Sequence, residues 1–125
     1  MKFDPLNNVI NRQEIEKGEK ELDEIGFKSI SLGEVGVCIM SGGQGTRLGF
    51  DHPKGMFNIQ LDSQFTLFEY FARKLLRLME ITKRKYPDSK FTEKNMVKWY
   101  IMTSDMNHEE IIGFFKEHKY FGYDP

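Results

Sequence analysis

Four glycines fall within eight residues at Gly42-Gly43-Gln44-Gly45-Thr46-Arg47-Leu48-Gly49, and Pro53-Lys54-Gly55-Met56 follows closely. Glycine at this density serves no hydrophobic core; it lets the backbone turn sharply and approach a ligand, at a cost in chain entropy. Successive backbone N–H groups in such a loop converge on an anion. Arg47 adds a fork suited to phosphate oxygens, and Lys54 adds a mobile ammonium group, aimed by the fixed φ of Pro53. The chemistry these residue types suit is the holding of a polyphosphate. Thr46 contributes a hydroxyl that either meets phosphate or caps the next turn.

Two general phosphate motifs fit poorly. Gly43, Gly45 and Gly49 are spaced Gly-x-Gly-x-x-x-Gly, one residue longer than the dinucleotide fingerprint, and Lys54 lacks the preceding Gly and following Ser or Thr of a P-loop. An apolar strand, then Gly-Gly-x-Gly-Thr-Arg-Leu, then Pro-Lys resembles the signature of sugar nucleotidyltransferases. Only Gly49 to His52 separate Leu48 from Pro53. With Gln44 and Gly55-Met56, this spacing is similar to the eukaryotic-type UDP-sugar pyrophosphorylases, and within them to the N-acetylhexosamine branch. Thr66-Leu67-Phe68, the stretch from Trp99 to Ser104 and the stretch from Phe114 to Gly122 are also similar, so the resemblance runs from about Gly26 to Gly122.

The resemblance implies a Rossmann-like α/β/α nucleotidyltransferase sheet of which only the first strands and helices are present. It implies that Met40, Ser41, Gly42 and Gly43 run along a uridine nucleotide, that Gln44, Gly45 and Thr46 share in binding it, and that Arg47 and Lys54 hold the phosphates and carry catalysis. The implied reaction joins UTP to N-acetylglucosamine 1-phosphate, giving UDP-N-acetylglucosamine and pyrophosphate with Mg²⁺ as cofactor. UDP-glucose or broad UDP-sugar synthesis is the alternative, as is a nucleotide-binding piece without catalysis. The family's uracil-reading, sugar-binding and metal-binding residues would lie beyond position 125. The chain is therefore expected to be the first quarter of such an enzyme, inactive alone, with no metal ligands of its own.

The 125 residues suffice for one small core. A net charge of −1 argues against a nucleic-acid partner. A single cysteine excludes an intrachain disulfide; Cys38, in the apolar run Val35–Met40, is expected to be a buried small hydrophobe. No apolar stretch approaches the ~18 residues of a membrane span, and the N-terminus lacks a signal-like apolar region. A reducing, cytoplasmic setting is expected.

These chemical groups need elements to place them. Residues 1–30 read as a polar helical or irregular arm, with a helix over Glu14 to Ile25 whose apolar side is Ile15, Leu22 and Ile25. Residues 31–125 read as the first part of a catalytic domain. Val35–Met40 is expected to be a strand buried on both faces, and the alternating Phe57–Leu61 a short strand. Thr66 with Glu69 forms a capping-box pattern before a helix over 67–84. Val97–Met102 is a second strand and Asn107 the cap of a further helix, with Glu109 and Glu110 in its first turn. Strand, helix, strand, helix predicts a parallel sheet. The glycine loop and Thr103-Ser104 then converge beyond the strand ends. The three histidines show no metal spacing, although His52 lies near the loop. Gly122 and Pro125 punctuate the end. The aromatic stretch Phe114–Tyr123 is read as core and edge packing; unpaired strand edges, with aromatic surface left uncovered on it and on Val97–Met102, are expected to drive either self-association or partial unfolding at the C-terminal end.

Overall fold

The computed structural model describes residues 19–93 and 95–123. Five elements follow one another: α1 (Glu19–Ser31), β1 (Val35–Met40), α2 (Leu67–Lys85), β2 (Val97–Met102) and α3 (His108–Glu117). β1 and β2 pair in parallel, in register from Val35↔Val97 to Met40↔Met102. This is the alternation that the sequence predicts. The expected capping of α2 is half realised. Glu69 N donates to Thr66 Oγ1 over 3.2 Å, but the Glu69 carboxylate binds Arg73 one turn on rather than reaching back.

All three helices lie on one face of the sheet. There Ile30, Met79, Met96 and Val97 form one buried cluster against Val35 and Val37. Phe68, Ile111 and Phe115 form a second against Trp99 and Ile101. Along β1, exposure alternates residue by residue. Period-2 geometry sends Gly36, Cys38, Met40, Lys98, Tyr100 and Met102 to the opposite face. Met40 is 80% exposed and Tyr100 61%. The expectation of a strand buried on both faces is thus corrected, and with it that of a buried Cys38, which is exposed. An unbroken apolar run marks a doubly covered strand only where something covers the second face, and no described element does.

Other expectations change locally. Phe57–Leu61 forms no strand; only Asn58 and Thr66 make an isolated bridge. The Asn58 side chain accepts from Gln60 N and donates to Gln64 O, replacing strand pairing by a turn. α1 runs on to Ser31, and Leu22 and Ile25 are exposed. It packs through Phe27 and Ile30 and through Glu24, which binds Lys85 and Tyr86 of the α2 end. Hydrogen bonding to Lys85 holds the Glu24 carboxyl below its ordinary pKa. Residues 1–18 of the expected arm, including Glu14 and Ile15 of its helix, and Pro125 lie outside the described residues. The aromatic stretch does pack inward: the Phe115 ring sits 4.9 Å from that of Phe68 and 5.4 Å from Trp99. Left-handed φ values at Lys119, Tyr120 and Phe121 turn the chain back, so that Tyr123 lies on Trp99 and donates its hydroxyl to Val97 O.

Candidate functional site

The glycine loop leaves the carboxyl end of β1 and folds back on itself as two limbs. Gly45 N donates to His52 O over 2.9 Å, Lys54 N to Gly43 O over 3.3 Å, and Gln44 and Pro53 form an antiparallel bridge. A 3-10 turn over Thr46–Leu48 joins the limbs, and Gly49 closes it at φ +67, a conformation that favours glycine. Thr46 makes no cap, because Gly45 holds that position without a side-chain bond. Lys54 starts a second 3-10 turn after the fully buried Pro53.

The backbone donors of the loop fall into two groups. Ser41 N is engaged by Met102 O over 2.8 Å, and Gly45 N by His52 O. Gly42, Gly43 and Gln44 N–H find no acceptor among the described residues. A methyl group on Gly43 would meet nothing within 4 Å, so that surface is open to a ligand. The Gln44 Oε1 acceptor is buried without a partner. Arg47 and Lys54 are exposed, and neither makes an ion pair among the described residues. A cavity of about 280 Å³ separates the loop from the start of α2, lined by Met40, Ser41, Gly43, Lys54, Leu67 and Phe71 among others. Gly43 and Lys54 lie on the wall of this cavity, whereas Arg47 does not line it; free amide donors with an unpaired cation can hold an anion.

Thr103 and Ser104 converge on the loop, as the strand order requires. Ser104 Oγ donates to Gly42 O over 3.1 Å, and Thr103 Oγ1 pairs with His108 Nδ1. Asn107 departs from its expected role. Its Oδ1 accepts from Ser104 N and its Nδ2 donates to Ser41 O, each at 2.9 Å, so it braces the loop instead of capping α3. Being 1% exposed, it is part of the interior. His52 meets Glu110 Oε1 at 2.5 Å, and His118 bonds Phe114 O. Glu110 is therefore paired rather than merely solvated at a helix end. No local pattern announces partners 66 and 58 positions apart.

Among the described residues, no three His, Cys, Asp or Glu side chains gather so as to hold a metal ion, and no helix is long and apolar enough to cross a membrane. The described residues therefore show no fit for a protein-held Mg²⁺.

No protein-family model matches the chain. It is 41% identical over 122 residues to UDP-N-acetylglucosamine diphosphorylase 2 of Arabidopsis thaliana, covering 97% of this chain and 24% of that protein. Against UDP-N-acetylglucosamine pyrophosphorylase of Saccharomyces cerevisiae, identity is 43% over 106 residues, 85% of this chain and 20% of that protein. The crystal structure of the uridine diphosphate N-acetylglucosamine pyrophosphorylase from Trypanosoma brucei, in complex with an inhibitor, matches with a TM-score of 0.80. Identity there is 37%, over 90% of this chain and 21% of that one. The chain spans about a quarter of the length of the curated relatives it matches. Sequence and fold point to one lineage: the chain belongs to the UDP-N-acetylglucosamine pyrophosphorylase family.

Proposed function

We propose that this chain carries the nucleotide-phosphate half of a uridylyltransferase site, in an enzyme that makes UDP-N-acetylglucosamine and pyrophosphate from UTP and N-acetylglucosamine 1-phosphate. The observation that most supports this reading is the row of free amides at Gly42, Gly43 and Gln44 beside a cavity walled by Lys54. In this reading those amides take phosphate oxygens, while Ser41 and Gly45 shape the loop because their own amides are engaged. Met40 and Thr46 flank the nucleotide.

A sugar-phosphate oxygen attacks the α-phosphorus of UTP in line. An oxygen–phosphorus bond forms, the bond to the β-phosphate's bridging oxygen breaks, and pyrophosphate leaves with the electron pair. The nucleophile is already an anion, so no protein base is needed. Positioning and charge neutralisation remain as the tasks. Arg47 and Lys54 offset the charge that builds on the leaving pyrophosphate. Mg²⁺ is the cofactor that the resemblance implies, and no described residues fit it. A cytoplasmic setting accords with the single cysteine.

Titration of the isotope-labelled 125-residue chain with UTP, followed by nuclear magnetic resonance, tests the reading. Shifts should concentrate at Gly42, Gly43 and Gln44. Arg47→Ala and Lys54→Ala should each weaken binding about 10-fold, the worth of one charge-assisted contact. The chain alone should form no UDP-sugar. Unchanged affinity in both variants would overturn the assignment.

A further inference from the structure

The loop's two limbs are held by the start of α3 and the segment that leads into it. The outgoing limb is pinned by Asn107 Nδ2 on Ser41 O and by Ser104 Oγ on Gly42 O. The return limb is pinned by Glu110, whose Oε1 accepts from His52 Nδ1. Asn107 and Glu110 are three residues apart at the start of α3, the spacing that sets side chains on one helix face. Among the described residues, His52–Glu110 is the only side-chain hydrogen bond or ion pair made by residues 50–55.

We propose that His52 and Glu110 are positioning residues that fix the separation between the loop amides and Lys54. The proposal rests on the phosphate-site reading above and deepens it. His52 works at two ends. Its carbonyl accepts Gly45 N–H, and its side chain ties that same limb to α3. The ring also lies 5.2 Å from that of Phe50, which limits its rotation. Lys54 follows two residues later, behind the rigid Pro53, so the placement of His52 carries over to Lys54. The amides and Lys54 must meet one polyphosphate of fixed length. Small errors in their separation therefore cost binding.

An exposed pair contributes little to overall stability, and these side chains are 57% and 36% exposed. The effect belongs to the loop, which sets the readout. A carboxylate near a phosphate site would otherwise be a liability, since it repels the ligand. Its hydrogen bond with His52 gives it a mechanical task instead.

The experiment uses the full 125-residue chain, UTP as probe, and amide exchange at Gly45 as a measure that needs no ligand. His52→Ala and Glu110→Ala should each speed Gly45 exchange and weaken UTP binding by about two- to fivefold. The double variant should lose no more than either single one, because both remove the same fastening. His52→Asn, which keeps a donor at the position of Nδ1, and Glu110→Gln, which keeps an acceptor, should restore most of both properties. Additive losses, unchanged Gly45 exchange, or tighter UTP binding in Glu110→Ala would each overturn the proposal. Lys54→Ala is the discriminating control. If it too leaves UTP affinity unchanged, the phosphate-site reading fails. If it weakens UTP binding while the His52 and Glu110 variants behave as wild type, only the positioning proposal fails.

Discussion

Gly55 lies against the ring of Phe68, so closely that a methyl group on it would come within 2.2 Å of the ring's Cζ. Phe68 is 1% exposed and packed against Phe115, so it has no room to yield. The glycine after the loop lysine therefore serves packing, whereas Gly43 faces open space.

The two glycines should separate cleanly on mutation. Gly55→Ala should lower stability by roughly 1–3 kcal/mol, the usual cost of overpacking a core, as measured by denaturant unfolding. Gly43→Ala should leave stability within about 1 kcal/mol and yet weaken UTP binding, because its methyl group meets the ligand alone. Equal stability of the two variants would contradict this division.

The uncovered sheet face should show itself in solution. Met40, Tyr100 and Met102 together form an exposed apolar patch beside unpaired strand edges, a combination that favours association. Light scattering should show mass rising with protein concentration. Met40→Lys with Tyr100→Lys should suppress that rise without altering the helical circular dichroism. A concentration-independent monomer would refute the expectation.

Two groups should shape the pH limits of stability. Hydrogen bonding to Lys85 lowers the pKa of Glu24, so its contribution is whole above the ordinary carboxylate range and is lost as pH falls through the lowered value. Burial raises the Tyr123 hydroxyl to about 12. Its contribution is whole below the ordinary tyrosine value near 10 and is lost as pH rises from there towards about 12. Lys85→Met should remove the acid dependence ascribed to Glu24, and Tyr123→Phe the alkaline one. Burial also raises Tyr86, so ultraviolet difference titration of the wild type against Tyr123→Phe should show the last-ionising of the five tyrosines lost in the variant; its persistence there would remove the Tyr123 account.

The sequence made the local parts legible. The helical recurrence of Phe68, Phe71, Leu75, Leu78 and Ile81 or Thr82 marks α2, although the residues it buries are Phe68, Ala72, Met79 and Thr82 while Phe71 and Ile81 stay exposed; the apolar runs of both strands and the glycine density of the loop likewise express short-range rules. What it concealed was set by distant contacts. Cys38 reads as buried by composition and is exposed because no described residues lie over that face. Asn107 reads as a cap by type and position, but its side chain is claimed by Ser41, 66 positions away. Glu110 reads as a solvated helix-terminal acid until His52 arrives from another part of the chain.

Every rung of the sheet joins residues 62 positions apart, from Val35↔Val97 to Met40↔Met102. Among the described residues neither strand has a nearer partner, so no rung forms until half the chain has closed into a loop, at an entropic cost that grows as about (3/2)RT ln n. α2 needs no such closure; its bonds span single turns. Folding should therefore begin with α2 and end with the pairing of the strands, because non-local pairing is the slow step. The glycine loop hangs from the carboxyl end of β1, and its shape waits on that pairing. A nucleotide seated there would draw on the whole sheet's free energy, and by mass action would return it as resistance to unfolding.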